Sequence, residues 1–323
     1  MLGSSKANLK NPRKGTPSPQ LVIIRGLLVV VCAVVPHVPV WAQVRGVYPP
    51  GLSAFNSGVT PESGLSYSNL FLFYSRDHLR GPNGELLATG RQSVLMDMNS
   101  FVWVSNEEIL GGAKVSLAAT LPIANNSLTS DMEGAINGGG GLADSFYQFI
   151  LGWEGNRVAV RGMYGVLAPS GRFNAGASDN VGSGYWTQTP ASGQTFYLTK
   201  DKTRSLSVFE MYEFHSTQEG TQIHPGQTLD IDLSLTQTIA LPDDIRLQMG
   251  LVGYGQWQTT DKSGPTITSE QSKAHYRVHA LGFGGNVLLP ARKVSLGVKY
   301  FKEFSNRSTF QGYSLQISTS ITF

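Results

Sequence analysis

Cysteine is almost missing: Cys32 is the single one in 323 residues, and it lies in a segment expected to be removed. A disulfide scaffold and thiolate chemistry are thereby excluded for the rest of the chain. Long hydrophobic runs are missing too. The longest, from Gly26 to Val35, is about ten residues and too short to cross a bilayer, so no transmembrane helix is expected. Charge is sparse, at 15% of residues. Lys6, Lys10, Arg13, Lys14 and Arg25 sit ahead of residue 43 without one acid, which leaves 20 basic against 22 acidic residues beyond it, a net of about −2. The basic balance of the whole chain therefore belongs to its start, and nucleic acid is not an expected partner.

Those first residues have a secretory pattern: a basic stretch, a short apolar run, helix-breaking Pro36 and Pro39, then Val40-Trp41-Ala42. Residues 1–42 are expected to be a cleaved signal peptide, with the cut before Gln43. Bulky Val31 ahead of Cys32 argues against a lipoprotein signal.

What remains is rich in Gly, Ser, Thr and aromatic residues, the composition of many strands with polar turns. The last residues, QGYSLQISTSITF, alternate strictly. Tyr313, Leu315, Ile317, Ile321 and Phe323 fall on one parity, interrupted only by Thr319, and polar residues fill the other. A period of two is a β-strand with one apolar and one polar face. A strand paired to its last residue points to a closed sheet, and the bilayer is the solvent that most strictly demands closure. These five residues, ending on Phe323, are the expected assembly signal read by the barrel assembly machinery.

Strands are expected near 65–76, 93–104, 112–124, 143–153, 157–168, 185–199, 204–217, 227–240, 245–259, 273–289, 292–304 and 311–323. Twelve is an even count, as bacterial outer-membrane barrels have, and ten or fourteen are the neighbouring counts. Long and short gaps alternate, which suits outer loops and periplasmic turns. The expected fold is an all-β, antiparallel transmembrane barrel over 65–323. Residues 43–64, stiffened by Pro49, Pro50 and Pro61, are either a periplasmic leader or an inner plug.

Alternation assigns faces. Leu229, Ile231, Leu233, Leu235 and Ile239 are expected at lipid, with Asp230 and Asp232 inside. Val294, Leu296, Val298 and Tyr300 are outward, leaving Lys299 and Glu303 inside. By the same rule Asp97, Asn99, Lys114, Arg161, His275, Arg277 and His279 are placed in the lumen, with Tyr276, Val278 and Ala280 at lipid. In 204–217 the parity changes near Phe209, so a bulge is expected, and either Glu210 or Glu213 could be the inward acid. Aromatic residues near strand ends, among them Trp103, Trp153, Trp186 and Trp257, fit interfacial girdles.

Several ordered segments carry a resemblance: YPPGLSAFNSGVTPESGLSYSNLFLFYSRD, ILGGAKVSLAATLPIAN, GLADSFYQFILGW, GVLAPSGRFN and HPGQTLDIDLSLTQ. Together they resemble the outer-membrane family of the MetA pathway of phenol degradation, whose members are called simply transporters. Ser170 stands where that family tends to carry Thr. The resemblance implies an outer-membrane barrel with a transport role and gives no substrate.

Other motifs dissolve on inspection. Gly138 to Gly141 has no Lys-Ser/Thr after it, so it reads as an outer loop rather than a phosphate cradle. NNSLTSDMEG and NAGASDN lack the ordered oxygen spacing of a calcium loop. His275 and His279 would be roughly 13 Å apart on one strand, too far to share a metal ion. No metal and no cofactor is expected. No segment brings a nucleophile to a base, so an enzyme is not expected. The expectation is a passive outer-membrane channel for small solutes, hydrophobic or aromatic ones by the family association. The alternatives are a closed structural or adhesive barrel and, behind it, a barrel-embedded hydrolase. The lumen candidates of mixed sign would either select solutes or brace the wall.

Overall fold

The computed structural model describes residues 45–130, 134–177 and 179–323; the signal peptide expected over 1–42 lies outside them. Thirteen strands follow in order: β1 (Gly64–Arg80), β2 (Leu86–Ile109), β3 (Ala113–Ser130), β4 (Gly134–Leu142), β5 (Ser145–Glu154), β6 (Val158–Ala168), β7 (Thr187–Tyr197), β8 (Arg204–His215), β9 (Thr228–Ala240), β10 (Arg246–Gln258), β11 (Arg277–Leu289), β12 (Val294–Arg307) and β13 (Thr309–Thr322). One capped helical turn, α1 (Ser269–Lys273), precedes β11. β4 and β5 together make one stave: β3 pairs with β5 along Ala113–Thr120 and with β4 along Ile123–Ser130. Twelve antiparallel staves result, each paired to its chain neighbours, and β1 closes on β13 from Ser66↔Thr322 to Arg80↔Thr309. The amide of Phe323 extends that seam by donating to the Leu65 carbonyl at 2.9 Å.

The solvent logic of a globular protein is inverted. Leu251, Leu281 and Phe283 are about two-thirds exposed, at 65%, 64% and 66%, while Asp230 and Asp232 are fully buried. Apolar residues of this size cover the outer wall on every stave, far beyond the patches a soluble monomer exposes. A wall that is oily outside, polar inside and without a free sheet edge is a transmembrane barrel.

One rim carries tight turns. At Leu110-Gly111-Gly112 all three φ angles are positive, which two glycines tolerate at no cost. The other rim carries the long connections 169–186, 216–227 and 259–276. By the outer-membrane rule, the short turns are periplasmic. The expected outer loops 77–92, 125–142 and 305–310 are instead largely strand. No apolar–polar alternation in the sequence marks the strand in these stretches. Gly138–Gly141, expected as a loop, lies within β4.

Candidate functional site

Strict alternation on β8, β9 and β12 aims Glu213, His215, Asp230, Asp232, Ser234, Lys299 and Glu303 into the interior, all nearly inaccessible. Burying so many charges is tolerable only if each finds partners. Glu213, Asp232, Ser234, Lys299 and Glu303 find them in the segment that precedes β1, which runs inside the barrel, while His215 and Asp230 are met by the wall residues Thr187, Glu213 and Gln256. Ser63 lies at the periplasmic rim, where its hydroxyl donates to the Ser105 carbonyl (2.8 Å) and accepts from Lys114 Nζ (3.0 Å). From there the segment climbs to Arg45, beside Thr309 and Phe310 near the outer rim.

Along this path the wall's side chains satisfy the segment's backbone. Glu213 accepts from the amides of Val47 (3.0 Å) and Tyr48 (2.7 Å). Asp232 accepts from the Tyr48 hydroxyl (2.6 Å) and the amides of Gly51 (2.8 Å) and Ser53 (3.0 Å). Lys299 donates to the carbonyls of Gly51 (2.6 Å) and Leu52 (2.8 Å), Ser234 to that of Ala54 (2.6 Å) and Arg161 to that of Ser57 (2.7 Å). Asn56 exchanges amide bonds with Gln248. A stretch without regular structure can thus be buried without orphaned backbone groups.

Glu303 is the most heavily used acceptor. Its carboxylate takes both Arg45 guanidinium nitrogens (2.8 and 3.3 Å), the hydroxyls of Tyr74 and Tyr254, Asn306 Nδ2 and the Gly312 amide. Burial disfavours the Arg45 charge, but Glu303 and Tyr74 outweigh it and raise the pKa of Arg45 above its ordinary value. Apolar contacts complete the fit. Tyr48 stacks on Phe209 at 5.3 Å, and Ala54 and Phe55 pack among Val252, Tyr276, Val278 and Phe301. Gly51 has φ +83°, and a Cβ there would lie 2.5 Å from Phe301 Cζ; one at Gly58 would lie 2.0 Å from the Ala159 carbonyl oxygen. Only glycine fits at either place.

Of the lumen candidates, Lys114, Arg161, Asp230, Asp232, Lys299 and Glu303 face the interior, and four do not. Asp97 sits on the outer wall in a row with Leu95, Phe101 and Trp103, because its strand mates Met96, Met98, Val102 and Val104 are the ones that turn inward. A local polar cluster offsets its exposure. Asn69 Nδ2 donates to both Asp97 and Asn99, and the Tyr67 hydroxyl donates to Asn99 at 2.7 Å. Thr319, the break in the terminal apolar row, is the cross-strand partner of Asn69.

On β11 the assigned faces are reversed. Tyr276, Val278, Ala280, Gly282 and Gly284 turn inward, small enough along most of that row to admit the segment, while Arg277, His279, Leu281 and Phe283 turn outward. His275 precedes the strand and binds Asp261 in the outer loop at 2.7 Å. β8 has no bulge, since its register with β7 and β9 is unbroken. Phe209, Met211 and Glu213 all point inward, the two apolar ones onto Tyr48, and Glu210 points outward to Ser192 (2.8 Å).

The functional residues missed by sequence reasoning are Tyr74, Tyr254, Gln248 and the segment's own Arg45 and Tyr48, and Glu213 was left open against Glu210. Glu213 had a signal in its parity with Ser205 and Ser207. Arg45 had none, because its partner lies 258 residues away. The terminal candidates Tyr313, Leu315, Ile317, Ile321 and Phe323 form one outward row. Among the described residues no three His, Cys, Asp or Glu side chains gather as a metal site.

Fold and interior together define a transmembrane β-barrel whose lumen is occupied by its own N-terminal segment. The chain belongs to the family described as "Putative MetA-pathway of phenol degradation", whose model matches residues 76–319. Its fold is shared by the COG4313 outer membrane channel from Pseudomonas putida F1, at 13% identity and TM-score 0.69 over 86% of this chain and all of that one. It is also shared, more loosely, by the beta domain of the Bordetella autotransporter BrkA, at 12% identity and TM-score 0.50 over 81% of this chain and all of that one. No curated protein matches the sequence.

Proposed function

We propose that the protein is a passive channel of the Gram-negative outer membrane, reached after export with a cleaved signal peptide and insertion by the barrel assembly machinery. The segment ahead of β1 is its plug. The observation that carries this reading is the nature of the lumen's filling. At about eight strands wall side chains alone fill a barrel, at about sixteen a water channel remains, and twelve staves lie between, with room for more than side chains. Here the wall holds polar and charged groups that are satisfied by a separable strip of chain. When that strip withdraws, even in part, Lys114, Arg161, Asp230, Asp232, Lys299 and Glu303 would line a narrow wet passage of balanced sign, without strong selection for anions or cations. Small solutes are the cargo such a width admits, and the family description supports aromatic ones. This reading assigns no catalysis and needs no cofactor.

The test is liposome swelling and planar-bilayer conductance of the full protein and of a variant lacking residues 45–59. The expected result is low, intermittent conductance in the first and a several-fold larger, steady one in the second. A folded deletion variant that admits neither ions nor small aromatic solutes would favour the closed structural barrel.

A further inference from the structure

The outer wall carries a concentration of positive charge that the channel reading does not use. On the outer-rim end of β11 and β12, Arg277 and Arg307 are direct cross-strand partners. Both are exposed, and the neighbours Tyr276 and Asn306 turn inward, so both guanidiniums lie on the membrane-facing side. Like charges directly opposite each other on a sheet destabilise it. Neither guanidinium makes a hydrogen bond or ion pair with a described residue. Lys302, also outward and exposed, stands lower on β12 with its Nζ 5.7 Å from the Tyr313 ring. His279 lies between, its ring 5.5 Å from Trp257 and 6.0 Å from Phe304. The nearby acids are engaged elsewhere: Glu303 points inward to Arg45, Asp261 binds His275, and Asp77 on β1 accepts from Ser75.

The level of this group matters. Beside and below it come Leu281 and Phe283 on β11, Tyr300 on β12, and Tyr313 and Leu315 on the adjacent β13, the top of the apolar belt. Cations at that boundary stand where lipid headgroups begin, and Lys302 is long enough to snorkel up to them. Paired arginines suit a phosphate, because planar guanidiniums bind it bidentately. A headgroup phosphate would also relieve the repulsion between them, while its acyl chains lay along the aromatic face beneath.

We propose that Arg277, Arg307 and Lys302 form a docking site for the phosphate of a glycolipid in the outer leaflet. The folded protein in neutral detergent is to be titrated with lipid A bearing both phosphates, with fully dephosphorylated lipid A and with inorganic phosphate, and bound lipid read by native mass spectrometry. The phosphorylated lipid should bind at least about tenfold more tightly than the dephosphorylated one, and Arg277→Gln/Arg307→Gln should lower its affinity by about tenfold or more. Arg204→Gln/Arg246→Gln, at the opposite rim, should leave it unchanged. Equal binding of the two lipids by the unmodified protein would overturn the proposal without recourse to any variant. So would undiminished binding by the folded outer-rim variant, or displacement of the lipid by inorganic phosphate at similar concentration, which would mark a free-anion site.

Discussion

Glu303→Gln tests the plug at its most loaded contact. The carboxylate has two acceptor oxygens and six donors. Arg45, Tyr74 and Tyr254 converge on Oε1, and Arg45, Asn306 and Gly312 on Oε2. A glutamine must turn its NH2 toward one of these sets, so it loses the ion pair and opposes donor to donor. Breaking a buried pair from one side costs about 3–5 kcal/mol. Only part of that cost bears on the plug. Tyr74, Tyr254, Asn306 and Gly312 belong to the wall and are left wanting whether the segment is in or out. The share that differs between the two states is the pair of Arg45 bonds, about 1.5–3 kcal/mol for charge-assisted contacts. At about 1.4 kcal/mol per decade, the ratio of open to plugged channels should rise about ten- to a hundredfold.

Dwell times of single channels in planar bilayers give that ratio directly, with heat-modifiable mobility as the check that the barrel is folded. Arg45→Gln should have a similar effect, and the double variant should be no more open than the larger single effect, because both remove one interaction. A folded Glu303→Gln channel with unchanged dwell times would refute the reasoning. So would single effects that simply add.

Three further outcomes follow from the geometry. Leu233→Arg puts a charge on the lipid face at a cost of about 2–4 kcal/mol near the midplane and should lower the folded fraction in vesicles; Ser234→Arg should leave the barrel folded and displace residues 51–55, raising conductance. Gly51→Ala meets Phe301 and a positive φ, so it should also raise open probability while leaving thermal unfolding of the wall nearly unchanged, as judged by circular dichroism. Deleting Phe323, or following it with a charged tail, removes or crowds the bond to Leu65 and should reduce the heat-modifiable fraction recovered from membranes; undiminished recovery would separate this residue from assembly.

The staves were legible because alternation is a local property, and each expected strand overlaps one observed stave. Which row faces lipid is not local. On β9 the rows differ sharply, leucine and isoleucine against aspartate and threonine, and the assignment needed no further information. On β11 the rows are Tyr276, Val278 and Ala280 against His275, Arg277 and His279 over the first half, and hydropathy ranks them the wrong way round. Leu281 and Phe283 in the second half outweigh it, and the glycines opposite them mark where the segment must pass. On β2 the inward row is methionine and valine, so Asp97 could look inward only to a reader unaware of Asn69 on the neighbouring stave. On β8, Phe209 and Met211 resembled a change of parity because an inward apolar pair has no reason to exist without Tyr48 to cover it.

The failures on β8 and β11 share one cause. The interior of this barrel is neither water nor a wall-only core. It is a second, short chain segment with its own apolar and polar requirements, and the inward rows are written for that segment. Glu213 and Asp232 carry negative charge where backbone amides point, Lys299 and Arg161 carry positive charge where carbonyls point, and Phe209 and Phe301 are apolar where Tyr48 and Phe55 rest. A lumen evolved only to pass solute would have no use for that alternation of acceptor, donor and apolar surface along residues 45–58. A lumen meant only to stay shut would be filled more cheaply by larger inward side chains in place of Ala280, Gly282 and Gly284. The combination of room left in the wall and specific partners for what fills it is what the proposed withdrawal of the plug requires.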